Sequence, residues 1–321
     1  MPKLPLEVEL YIVELAIPPF TWHGRDERRE LCKTLSLVHR SWTDVAQKRL
    51  REVLVKDLSK VTTSHDFEAL TEELDRLSPE AFSETTGLAV QMSYVFLERP
   101  YDSYDESVIE ILSGYVASRV REIWVHWCRL PPAWISQFDV ECLHLIGSFH
   151  SKPRPLQPNL LLPSLSALTY LHIDCAMINT LPVLDNLDTF LLSYITPWQS
   201  FSNALFKSLP NVRVVGLHDL APFFTEAAFQ SAPSTLEHVL LSISPVSLER
   251  KAPRDQVLPA VKAIPGPLKT FTLRVPDSAE YKDADQAGME EWCQQKEAAL
   301  EVKRFDSDTD DFHVDEWEWA I

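Results

Sequence analysis

The sequence predicts an α/β chain. A short helical domain at residues 1–50 precedes an irregular repeat solenoid at 51–305, with parallel strands on a concave face and helices and loops on a convex one, and an acidic tail follows at 306–321. Three observations predict this. A six-residue template, apolar at its first, fourth and sixth places, recurs along most of the chain, and Leu168–Ile173, reading LTYLHI, is its clearest copy. Amphipathic helical stretches separate many of the copies. The first fifty residues carry the 3.6-residue period of helices instead.

At the N-terminus, Leu4-Pro5 opens a helix, because proline at the first turn gives up an N–H that has no partner there. Val8, Ile12 and Leu15 fall at i, i+4 and i+7 as one apolar face, and Pro18-Pro19 ends the helix. Asp26 suits the N-cap of a second helix with the stripe Leu31, Leu35 and Val38. Ser41 and Asp44 make a capping box for a third, with Trp42, Val45, Ala46 and Leu50 on its buried side. Three short helices build a very small core, and such a unit needs a partner or a neighbouring domain.

The strings LPLEVELYIVEL and RRELCKTLSLVHRSWTDVAQKRL resemble an F-box, particularly the F-box-like segments of fungal leucine-rich-repeat proteins. The matching positions are Leu4, Pro5, Glu7, Val8, Ile12, Leu15, Leu31, Leu35, Ser36, Leu37, Val38, Arg40, Trp42, Ala46 and Leu50. The resemblance implies a Skp-type adaptor bound through Leu4, Pro5, Val8, Ile12, Leu15, Leu31, Leu35, Val38 and Trp42. It also implies a cullin–RING ubiquitin ligase reached through that adaptor, and a repeat domain that selects a protein substrate.

The remaining elements follow the template. Its copies are Leu50/Val53/Val55, the degraded Thr85/Leu88/Val90, Val120/Ile123/Val125, Val140/Leu143/Leu145, Leu168/Leu171/Ile173, Leu187/Phe190/Leu192, Val212/Val215/Leu217, Leu236/Val239/Leu241 and Leu268/Phe271/Leu273. On a period-2 strand the fourth and sixth side chains share one face. The pattern resembles the strand core of a leucine-rich repeat. Start-to-start spacings of 35, 35, 20, 28, 19, 25, 24 and 32 residues mostly lie near the roughly 20–29 usual for such units. Helices are expected around Phe67–Leu77 and Val108–Tyr115, with shorter connectors at Phe201–Ser208, Pro222–Gln230 and Gln256–Ile264. Met289–Ala299 and a last strand, Leu300–Phe305, would cap the end of the stack.

Composition narrows the function. Net charge is −17, with Asp306, Asp308, Asp310, Asp311, Asp315, Glu316 and Glu318 in the tail beside Trp317 and Trp319. That charge repels nucleic acid and anionic membranes. No apolar run reaches the length of a membrane span, and Pro2, Pro5, Glu7 and Glu9 break any signal-peptide pattern. Five cysteines without a CxxC spacing point to a reduced cytoplasmic or nuclear setting. Gly is scarce at 7 residues, and no GxGxxG, GxxxxGK[ST], GxSxG or HExxH occurs, so no enzyme site and no cofactor are assigned.

The alternate strand places face the concave surface and hold five of the ten histidines. Trp124, His126, His144, Tyr170, His172, His218 and His238 are the candidate substrate-binding residues, since rigid aromatic and imidazole groups suit peptide contact. Cys142, His144, His172 and His126 follow the repeat spacing and match no ligand motif, so no metal is assigned. Two function classes fit: a ubiquitin-ligase substrate receptor, and a repeat scaffold whose first helices only cap the stack.

Overall fold

A computed structural model describes residues 4–20, 24–57, 64–76, 85–91, 120–126, 135, 137–146, 165–174, 181–193, 205–218, 226–242, 261–276 and 283–305. The chain divides into two compact units, Met1–Cys128 with Gln137–Asp139, and Arg129–Ser136 with Val140–Ile321. The tail at 306–321 and the expected helix around Val108–Tyr115 lie outside the described residues.

The first unit begins with α1 (Leu6–Ala16), α2 (Arg25–Val38), a 3-10 turn at Arg40–Trp42 and α3 (Thr43–Arg51). Their core is Val13, Ile17, Cys32 and Ala46, with Leu35, Trp42, Val45 and Leu50 packed against it. Two caps differ from expectation. Helix α2 starts after Gly24, which leaves Asp26 in the first turn, where its charge still favours the helix dipole. Before α3, the His39 ring accepts from the Ser41 N–H, so Ser41 does not act as the cap. The strands β1 (Val53–Asp57), β2 (Gly87–Gln91) and β3 (Glu122–His126) then pair in parallel, and α4 (Ser64–Arg76) lies between β1 and β2 in sequence.

Glu52 joins helices to strands. Its carboxylate receives Arg28 at 3.4 Å and Arg49 at 3.1 Å, while its carbonyl accepts the N–H groups of Thr86 and Gly87. Arg28, 5% exposed, also donates to the Pro18 carbonyl, and Arg49 reaches Glu14 on α1 at 2.8 Å. A buried guanidinium is tolerable only when paired in this way.

Among the described residues the second unit holds seven strands, β4 (Cys142–Ile146), β5 (Tyr170–Asp174), β6 (Thr189–Ser193), β7 (Val214–His218), β8 (His238–Ser242), β9 (Thr270–Pro276) and β10 (Ala299–Phe305). Neighbours in sequence are neighbours in the sheet, all parallel. A short α5 (Glu226–Gln230) precedes β8, and α6 (Asp283–Gln295) precedes β10. One carbonyl at the second template place accepts two N–H groups from the next strand's start. Glu141, Thr169, Asp188, Arg213 and Glu237 each do so. This repeated acceptor fixes the register, and it puts Leu143, Leu171, Phe190, Val215, Val239 and Phe271 in one fully buried line.

The template places therefore stay in register between β2 and β3 and from β4 to β9, and β1 is the exception. Leu54 and Lys56, not Val53 and Val55, pair with Leu88 and Val90. Val55 is accordingly 40% exposed, as a one-residue slip moves a strand's side chains to the other face. Three apolar residues in a row, Val53-Leu54-Val55, permit either register.

Candidate functional site

Helix α1 is apolar on two sides. At about 100° per residue, Val13 and Ile17 point one way into the core. Val8, Tyr11, Ile12 and Leu15 fall within an opposite arc of roughly 100°, and they are 43%, 61%, 50% and 67% exposed. Leu4 and Leu6, at the helix start, and Leu37 and Val38, at the end of α2, are exposed as well. The apolar face expected at Val8, Ile12 and Leu15 exists, and it is turned to solvent.

The other expected adaptor residues divide. Pro5 precedes α1 and is exposed. Leu31, Leu35 and Trp42 are half-buried, and Trp42 donates its indole N–H to Glu9 at 2.8 Å. The buried line of α2 is Arg28 and Cys32 continued by Leu35, offset from the expected Leu31/Leu35/Val38 stripe. Val8, Tyr11, Ile12 and Leu15 thus lie exposed together on one side of α1, opposite the residues that pack into the core.

The candidate substrate residues are split between the units. Trp124 lies on β3 in the first, 3% exposed, with Phe20 edge-on at a centroid distance of 5.6 Å. The backbone of His126 pairs with Gln91, and its side chain lies outside the described residues. In the second unit, His144 and His172 are register partners with rings 6.0 Å apart, and Tyr170 stacks at a tilt 4.9 Å from His144. Tyr170 also packs on the cluster Leu191, Val214 and Leu240. His238 sits three strands away, bonded through Nδ1 to the Thr270 hydroxyl at 2.6 Å. His218 lies on a different register line, beside Ser193 and Ser242.

The expected open surface is mostly closed. His144, His172 and His218 are 6%, 0% and 0% exposed, and every side chain of β6 and β7 is buried. Strands buried on both faces read as continuous apolar runs, and that signal is present in TFLLS, VVGLH and HVLLS. Burial pushes the His172 imidazole well below its ordinary value, with the neighbouring His144 adding to the shift, and neither ring nitrogen has a hydrogen-bond partner. His218 is likewise lowered, by burial first and then by the charge of Arg274. Both are neutral near pH 7.

An exposed charge ladder runs at the strand starts. Arg213 bonds Asp188 at 3.3 Å and Glu237 at 2.7 Å, and Lys269 bonds Glu237 at 2.9 Å. Among the described residues no group of three or more His, Cys, Asp or Glu is placed to hold a metal ion. Among them, too, no helix is long and apolar enough to cross a membrane. No family model matches this chain, and no curated protein matches it.

Proposed function

We propose that this chain is a substrate-recognition subunit of a cullin–RING ubiquitin ligase. Its first fifty residues act as an F-box-like module for a Skp-type adaptor, and its strands act as an irregular leucine-rich-repeat solenoid that selects a protein substrate in the cytoplasm or nucleus. The observation that carries this reading is the solvated apolar face of α1, Val8, Tyr11, Ile12 and Leu15, together with Leu37 and Val38. These side chains contribute nothing to the core of their own helical cluster, and the F-box resemblance names most of them as adaptor contacts. The chain performs no covalent step itself; the ligase assembled around it does. Candidate substrate contacts are those of the repeat strands that remain partly open, Tyr170 and His238.

A second reading has an observation of its own. Glu52 and the Phe20–Trp124 contact tie the helices to β1–β3 within one unit, as a cap of a repeat stack would be tied. Purified full-length protein mixed with a Skp-type adaptor separates the two. The ligase reading expects a complex at micromolar concentration that Ile12→Asp abolishes with melting temperature unchanged. No complex with wild-type protein leaves only the scaffold.

A further inference from the structure

The last strand leaves one side of its backbone open. Among the described residues β10 pairs with β9 alone. The Ala299 N–H donates to the Lys269 carbonyl at 2.8 Å, so Ala299 aims its backbone at β9. Successive residues of a strand aim their N–H and C=O groups to alternate sides. Glu301 and Lys303 therefore share the β9 side with Ala299, and Leu300, Val302 and Arg304 present theirs to the outer edge. Burial agrees with an open edge. Leu300 and Val302 stand in register with Phe271 and Leu273, which are fully buried, yet both are only half-buried themselves. Arg304 is exposed. On the opposite face of the strand, Glu301 and Lys303 are 51% and 41% exposed and lie 3.8 Å apart.

An open edge invites another strand, and charged side chains commonly deter one. Deterrence needs charges that repel on pairing. Here the order Glu301-Val302-Lys303 is its own complement when a second copy runs antiparallel about a twofold axis at Val302. Each Glu301 then stands directly opposite Lys303 of the second copy, with Cβ atoms about 4.5–5.5 Å apart. The same axis sets the outward groups of Val302 against those of the second Val302, and those of Leu300 against those of the second Arg304, so all of them find partners. An axis at Glu301 or at Lys303 would bring like charges face to face instead. The contact within the strand does not exhaust either group, because a carboxylate accepts at several lone pairs and an ammonium carries three donors.

We propose that β10 is a homodimerisation edge, on which two copies of this chain pair strand to strand, antiparallel and twofold-symmetric at Val302. Such an isologous contact closes on itself and stops at two copies. An edge of seven residues is small beside the roughly 800 Å² per partner of a standard interface. The dimer is therefore concentration-dependent and dissociates on dilution. The edge lies wholly in the second unit and uses nothing from α1, so it stands or falls independently of adaptor docking by the helices.

The test follows full-length protein by sedimentation velocity and light scattering across the micromolar range, with circular dichroism to confirm that each variant is folded. The expected result is a monomer–dimer equilibrium. Glu301→Lys and Lys303→Glu each set like charges together twice across the axis, and each should weaken association at least tenfold. The double variant restores unlike pairs, and its association should return to within about threefold of the wild type, as a coupled pair requires. Association is the deciding readout and stability is not, because the double variant restores the contact within the strand as well. A protein that stays monomeric throughout, an open-ended series of larger species, association indifferent to the single reversals, or a loss that the double variant does not recover overturns the proposal.

Discussion

Trp124 fills the space beside Phe20 and is 3% exposed. Trp124→Ala is therefore expected to cost about 3–5 kcal/mol, as large aromatic truncations in cores do, and to lower the urea midpoint. An unchanged midpoint would return the ring to the surface. Nothing in the sequence distinguishes this role from a binding one, because an aromatic at an alternate strand place reads the same when a loop covers it. Glu237 shows what a local pattern leaves illegible. Its partners come from the starts of two other strands, and hydrogen bonds first from Lys269 and then from Arg213 hold its carboxyl down from 4.5 to about 2. A depressed acid stabilises the fold above its unfolded value and loses that contribution as pH falls from about 4.5 toward 2. Lys269→Ala should raise the Glu237 midpoint in a carboxyl NMR titration; a midpoint that stays put would show that the ladder is not formed in solution.

At the scale of elements, α1 tests sidedness. Its apolar residues were legible as a stripe, yet period alone does not say which of two stripes faces the core. Val8, Ile12 and Leu15 make the longer pattern, and Val13 and Ile17 are the ones buried. The reason lies in what packs opposite: Cys32 and Ala46 present small surfaces that admit Val13 and Ile17 closely. Leu15→Asp should leave stability within about 0.5 kcal/mol, the range of surface changes. Ile17→Ala should cost about 2–5 kcal/mol. Equal losses in the two variants, measured by denaturant unfolding, would mean that the exposed stripe is covered within the free protein. β1 was misread for a related reason. The run Val53-Leu54-Val55 is apolar at three successive places, so only the pairing of Glu52 with Thr86 and Gly87 decides its register.

At the scale of the whole molecule, the parallel α/β order was legible because the same three places stay apolar while everything between them varies. The burial of the second strand face was written more faintly, as apolar residues at Leu191, Val214 and Leu240, where an open face needs none. That burial has a thermodynamic consequence. His172 and His218 are held neutral in the fold, while in the unfolded chain they protonate near 6.5. A base whose folded value is depressed leaves stability untouched above about pH 6.5 and reduces it as pH falls below, because the unfolded chain then binds protons the fold refuses. Each such histidine contributes a slope of at most about 1.4 kcal/mol per pH unit. His172→Leu removes one of these protons together with two ring nitrogens that bond nothing. The variant is expected to match or exceed the wild type in stability at pH 7.5, and to lose less on going to pH 5.5. Urea midpoints at the two pH values, compared between the proteins, measure the difference directly. Parallel loss in both would show that His172 is solvated or protonated in the native protein, and that the second face of these strands is open after all.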